Sequence, residues 1–151
     1  KNFGVYRDRV GVALAIAADA DQAQLAKGAL TTLNRLNYSF PPDHGAVVVA
    51  TVLADTALRA SWQAELEAMR LRMLDLRNAL AAALRKATNS DRFDFIADHR
   101  GMFSRLGLTT EQVQKLRSEY GIYMVGDSRF NVAGLPAERL DWLAGAIAKV
   151  L

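Results

Sequence analysis

Residues 57–87 read ALRASWQAELEAMRLRMLDLRNALAAALRKA. Leu58, Trp62, Leu66, Met69, Met73, Leu76, Leu80 and Leu84 recur at intervals of three and four, which places them on one face of a single helix. At 1.5 Å per residue that helix is roughly 45 Å long. A helix of that length outruns a compact domain of this size, so it either forms a coiled coil or bridges two domains. The thioethers of Met69 and Met73 fit a core role rather than a cofactor role. Composition shifts near residue 68, inside the helix, which marks a domain boundary between 1–68 and 69–151.

On the N-terminal side the chain alternates. VALAIAA (12–18) is a short continuous apolar run, the pattern of a strand buried on both faces of a parallel sheet. DADQAQLAKGALTTLNRL (19–36) has helical spacing and a polar start at Asp19 or Asp21. NYSFPPDHG (37–45) breaks it, with tandem prolines and a glycine. AVVVATVLA (46–54) is expected to be a buried helix, although its β-branched residues also permit a strand.

On the C-terminal side FDFI (93–96) is expected to be a strand. RGMFSRLG follows, flanked by glycines. TTEQVQKLRSEYG (109–121) predicts a helix with Thr109 and Gln112 spaced as a capping box and Gly121 as its stop. IYMV (122–125) and RFNVAG (129–134) read as strands either side of a GDS turn. PAERLDWLAGAIAKVL closes the sequence as a helix, with Pro136 at its first position and Leu140, Leu143, Ile147 and Leu151 on one face. The pattern is α/β first and a small α+β unit after the long helix.

The 151 residues suffice for one ordinary domain with a core. Apolar residues make up 51% and charged residues 23%, a globular composition. Net charge is +3 with no basic block, which argues against nucleic acid as a partner. There is no cysteine, hence no disulfide framework or thiolate metal site, and two histidines are too few for a histidine-based one. No apolar stretch is long enough to span a bilayer. No metal and no membrane partner are expected, and the expected location is cytoplasmic.

Four basic residues occupy suggestive places. Lys1 and Arg9 flank the entrance to the first apolar run. Arg35 precedes the proline-rich break, and Arg129 follows GDS. Arginine offers a planar fork of donors that matches a carboxylate or phosphate. A neutral lysine attacks a carbonyl to form a Schiff base. Together they suit a small dianionic substrate and a phosphorylated cofactor. In a sequence with 19 basic residues, a solvated charge is nevertheless the ordinary role of any one of them. His44 in PPDHG and His99 in IADHRG are read as a hydrogen-bonded loop residue and an exposed residue. No Gly-x-Ser-x-Gly, Walker phosphate loop or His-Glu-x-x-His is present.

KNFGVYRDRVG (1–11), LNYSFPPDHGAVVVATVL (36–53), GMFSRLGLT (101–109) and RFNVAGL (129–135) resemble, in order, stretches of the aspartate and aromatic-amino-acid aminotransferases, class I enzymes of pyridoxal-phosphate fold type I. The resemblance covers Lys1 to Leu151. It implies the C-terminal part of that fold: the end of the large parallel-sheet domain, the long interdomain helix and the small α+β domain. Lys1 matches the lysine that holds pyridoxal 5'-phosphate covalently and shuttles the proton. Arg9 matches the arginine on the cofactor phosphate, Ser39 a serine near the neighbouring subunit's cofactor, and Phe103 an aromatic lining the site. Arg129 matches the arginine that clamps the substrate α-carboxylate. Arg35 matches the one that reaches across a homodimer interface to a side-chain carboxylate. The implied reaction is transamination between an amino acid, aspartate or aromatic, and a 2-oxo acid such as 2-oxoglutarate.

The family's acidic partner for the pyridine nitrogen, its ring-stacking aromatic and its glycine-containing phosphate loop are expected before Lys1. So is the small domain's N-terminal strand-forming segment. Lys1 therefore reads as an interior residue, the missing N-terminal part of the same protein is an expected partner, and residues 1–151 alone are expected to be inactive. The alternative from another class is a non-catalytic helical interaction fragment, with residues 57–87 as a partner-binding coiled coil.

Overall fold

The computed structural model describes residues 2–151, with Asn2 described for its backbone alone. The described elements are α1 (Ala20–Tyr38), α2 (His44–Ala54), α3 (Thr56–Thr88), α4 (Phe95–Asp98), β1 (Phe103–Arg105), α5 (Thr110–Tyr120), β2 (Arg129–Asn131) and α6 (Leu140–Val150). Short 3-10 turns lie at Asn2–Gly4, Val132–Gly134 and Ala137–Arg139. The chain divides into two compact units, the first ending at Gln63 and the second running Ala64–Leu151. No single helix among the described residues is long and apolar enough to cross a membrane. No group of three or more His, Cys, Asp or Glu side chains among them could hold a metal ion.

The first unit is built by local signals. Asp19 caps α1 by accepting from the Gln22 N–H at 2.8 Å. The helix ends where Ser39 turns to φ +62° and its N–H returns to the Arg35 carbonyl at 2.9 Å. Pro41 and Pro42 keep α1 and α2 apart. AVVVATVLA is helical, as expected, but it is not buried: Val47 and Leu53 are exposed, because the described residues pack nothing over that face. Asp55 then caps α3 through its side chain to the Leu58 N–H. Gly45 alone is buried among the described residues of this unit.

VALAIAA is not a strand. Residues 10–18 carry no regular structure, and Val12, Leu14 and Ile16 are exposed. A buried strand needs hydrogen-bonded neighbours on both sides. No backbone hydrogen bond ties these residues to another described segment.

The second unit has a real core. Leu76, Leu80 and Leu84 of α3 meet Phe93, Ile96, Leu106, Leu108, Val113 and Leu116, and α6 closes the cluster with Ala144 and Ile147. The apolar stripe of α3 is therefore buried only toward its C-terminus. Leu58, Leu66 and Met69 are exposed on the same helix. The capping box of α5 forms as its spacing predicts: Thr109 N–H donates to Gln112 Oε1 at 2.9 Å, and Gln112 N–H to Thr109 Oγ1 at 3.3 Å. Gly121 stops the helix at φ +63°, and the Ile122 N–H reaches back to the Leu116 carbonyl.

Three further sequence expectations fail here, each for a local reason. FDFI folds into a turn and α4, because Ile96 N–H bonds to the Phe93 carbonyl and Ala97 N–H to that of Asp94. A bidentate Arg85–Asp94 pair, at 3.1 and 2.6 Å, holds that turn to α3. IYMV forms no strand, since the Ile122 N–H is spent on the helix stop and the Val125 backbone closes the GDS turn, donating to the Arg129 carbonyl at 3.3 Å and accepting from the Ser128 N–H at 2.8 Å. Pro136 precedes the 3-10 turn at Ala137–Arg139, and its ψ of 116° is not helical, so α6 begins at Leu140. Leu140 and Ile147 face the core, whereas Leu151 is exposed.

Candidate active site

The two short strands form an antiparallel pair with Phe103 opposite Asn131, Ser104 opposite Phe130 and Arg105 opposite Arg129. The flanking bonds fix the register. Val132 N–H donates to the Met102 carbonyl at 2.8 Å, and Leu106 N–H to that of Ser128 at 3.1 Å. Even-numbered residues of β1 therefore turn their backbone groups toward β2, and odd-numbered ones turn them away. Side chains alternate likewise. Ser104 is buried, while Phe103, Arg105, Arg129 and Asn131 share the exposed face.

Phe103 and Arg129 are diagonal neighbours on that face, with the guanidinium carbon 6.0 Å from the ring centroid. Asp127 lies close by but is engaged elsewhere. Its Oδ1 accepts the Arg129 backbone N–H at 3.0 Å, and its Oδ2 is 3.6 Å from Arg105 Nε. The Arg129 guanidinium makes no ion pair among the described residues. The result is an exposed cationic fork beside an aromatic ring, which suits a carboxylate attached to an apolar or aromatic body.

Ser128 places that fork. It is fully buried with φ +63°, and its Oγ accepts the N–H groups of Gly107 and Leu108 at 3.0 and 3.2 Å. The GDS triplet signals a turn in the sequence, but nothing there signals a buried hydroxyl. Arg77 is the other residue that sequence reasoning missed. It is 1% exposed on α3 and bonds to the segment that leads into β1. The signal was present: Arg77 falls four residues after Met73 and three before Leu80, inside the apolar stripe.

In the first unit, Arg9 has φ +52° and an exposed side chain without an ion pair among the described residues. Its neighbours are held against α2. His44 Nδ1 lies 2.9 Å from Asp8 Oδ1, and a Cβ at Gly45 would overlap Val10. Arg35 sits in the last turn of α1, linked to Ser39 through the backbone bond that ends the helix. Non-glycine residues at positive φ are uncommon. Here they include Arg9, Ser39 and Ser128, the last directly before Arg129. Lys1, the expected cofactor lysine, lies outside the described residues. His99 is exposed, as expected, and its Nδ1 is 3.1 Å from Ser104 Oγ.

The family model described as Aminotransferase class I and II matches residues 1–147. The chain belongs to that family. Among its relatives, this aminotransferase chain is 59% identical to an aromatic-amino-acid aminotransferase of Paracoccus denitrificans, over 99% of the chain and 38% of the relative. It is 46% identical to an aspartate aminotransferase of Escherichia coli strain K12, over 100% of the chain and 38% of the relative. A solved aromatic amino acid aminotransferase with 3-indolebutyric acid superposes with a TM-score of 0.92 at 59% identity, covering 99% of this chain and 38% of that one. The chain thus spans about 38% of the length of the relatives it matches. Its fold is the part of an aminotransferase that it covers, mostly helical with a small sheet. The family match runs through α3 and both its flanks, which a free-standing coiled-coil module does not explain.

Proposed function

We propose that the complete protein is a homodimeric, cytoplasmic aminotransferase that uses pyridoxal 5'-phosphate to move an amino group between aspartate or an aromatic amino acid and a 2-oxo acid such as 2-oxoglutarate. The observation that carries the reading is the Arg129 fork, without an ion pair among the described residues, beside Phe103 on one exposed strand face. In domain terms, residues 1–68 belong to the large cofactor domain and 69–151 to the small one.

The donor set fits the cofactor. A lysine amine (Lys1) and a guanidinium without an ion pair among the described residues (Arg9) are groups a phosphorylated aldehyde requires, with the hydroxyl of Ser39 near the neighbouring subunit's cofactor and Phe103 as the aromatic residue that the family resemblance adds. When bound, the cofactor supplies an electron sink for the charge that develops at the amino-acid α carbon. Lys1 would hold it covalently and would move the proton at that carbon, for which the amine must be neutral. Arg9 binds the phosphate. Arg129 fixes the α-carboxylate, and with it the orientation of the bond to be broken. Arg35, acting on the neighbouring subunit's substrate, takes a side-chain carboxylate. The named relatives include both aromatic and aspartate enzymes, which supports a site that accepts both substrate classes.

The test uses the full-length protein supplied with pyridoxal 5'-phosphate. A pH-dependent visible absorption band and conversion of 2-oxoglutarate to glutamate are expected, with the band lost in Lys1→Ala. Arg35→Ala should cost turnover of aspartate on the order of 2–5 kcal/mol, the loss of a charged two-pronged contact, and leave phenylalanine far less affected. Absence of both band and transamination sinks the reading. Equal losses on aspartate and phenylalanine remove Arg35 from its role.

A further inference from the structure

Among the described residues, Arg77 is a buried cation without a counter-ion. No ion pair involves it among the described residues, and burial, with the nearby Arg100 charge, lowers its pKa from the ordinary arginine value. An apolar residue at such a place is often the more stabilising choice. What Arg77 does instead is collect acceptors. Nη1 donates to the Ile96 carbonyl at 3.2 Å and to Ser104 Oγ at 2.8 Å. Nη2 donates to the Gly101 carbonyl at 2.7 Å and the Phe103 carbonyl at 3.2 Å. All the Nη hydrogens are engaged, and only the buried Nε has no partner.

The register explains the last contact. Phe103 is an odd-numbered residue of β1, so its carbonyl points away from β2, to an edge where no strand lies. Arg77 satisfies that edge. Gly101 stands at φ +85°, so the chain turns sharply just before the strand, and the same guanidinium holds the turn. One planar group thus fixes the turn, the strand edge and the Ser104 hydroxyl on the buried face, directly opposite the face that carries Phe103 and Arg129.

We propose that Arg77 is a positioning residue for the substrate carboxylate: by clamping residues 101–104 it sets where Phe103 stands beside Arg129. This rests on the aminotransferase reading above. A lysine at this position keeps the charge but offers three donors from one point, which cannot span the four acceptors.

The experiment compares full-length wild type with Arg77→Lys and Ser104→Ala. Small displacements of positioning groups cost up to ~100-fold, and Arg77→Lys is expected to raise KM roughly tenfold for aspartate and phenylalanine alike, with kcat changed much less. Ser104→Ala removes one acceptor and should raise KM about threefold, the worth of one hydrogen bond. The Kd of 3-phenylpropionate, an unreactive carboxylate, measured by calorimetry, should rise in parallel. A purely structural Arg77 gives the opposite split: kcat falls with the folded fraction while KM and Kd stay at wild-type values, and that result overturns the proposal. If Arg77→Lys does not fold, Ser104→Ala decides alone, and an unchanged KM and Kd for it overturn the proposal. A wild-type enzyme that transaminates nothing defeats the reading of function instead, and the carboxylate Kd of the variants then judges Arg77.

Discussion

The two units use apolar residues in opposite ways. Every buried apolar side chain among the described residues lies in the second unit, between Leu76 and Val150. The first unit contains equally apolar stretches, yet Leu14 is 88% exposed and Ile16 102% exposed. Its helices rest on caps, a proline break and the close approach at Gly45. Among the described residues, secondary structure in the first unit rests on local bonds, and in the second it is also buried. The residues assigned to cofactor phosphate and side-chain carboxylate, Arg9 and Arg35, sit on the first kind of support. Arg129, proposed for the α-carboxylate, sits on the second.

Truncation should break this symmetry most visibly. Leu84→Ala removes a fully buried side chain from α3 and should cost about 2–5 kcal/mol. Ile16→Ala should stay within about 0.5 kcal/mol. Both are read by urea denaturation of the 151-residue polypeptide, followed by circular dichroism. Similar losses at the two positions would erase the contrast.

Gly45 is the exception within the first unit, and it offers a finer test. A Cβ there meets Val10 and Asp8, so Gly45→Ala should cost about 1–3 kcal/mol, typical of overpacking, and displace the Asp8–Val10 segment around Arg9. In the full-length protein the affinity for pyridoxal 5'-phosphate should fall with it. Unchanged affinity would detach Gly45 from the placement of Arg9.

The smallest effect concerns acid. Glu111 lies in the first turn of α5, where its own backbone N–H and the Thr109 hydroxyl hold its carboxyl below the usual carboxylate range. A carboxylate with a lowered folded pKa contributes stability above its unfolded value. That contribution is lost as pH falls through the lower, folded value. Glu111→Gln should therefore lower stability slightly at neutral pH, flatten the acid side of the stability profile of the second unit, and leave the acid limit nearly unchanged. An identical slope in both proteins would show that the cap does not register the charge.

The same contrast explains what the sequence made legible. The starts of α1 and α5, the stop at Gly121 and the course of α3 are written in neighbours one to four residues apart, and each appears where its signal lies. VALAIAA, FDFI and IYMV carry strand composition. A strand, however, is a relation between distant segments, and local turns or missing neighbours decided against it. Phe103 and Arg129 were legible through family resemblance, and their adjacency required the register of β1 on β2. Ser128 was hidden because burial of a polar group is a property of the packed unit, not of the residues beside it, whereas Arg77 was marked by its place in the apolar stripe of α3.

The bonds at Ser128 have one more consequence. Its carbonyl accepts from Leu106, and its hydroxyl accepts from Gly107 and Leu108, so the excursion from Leu106 to Ser128 is pinned at its base. Lengthening a closed loop is cheap, roughly 0.6 kcal/mol for each doubling. The separation of Phe103 and Arg129 is therefore set at the base of this excursion and not by its length, so a longer connection that leaves Val113, Leu116, Ile122 and Met124 packed would keep that pair of side chains in place.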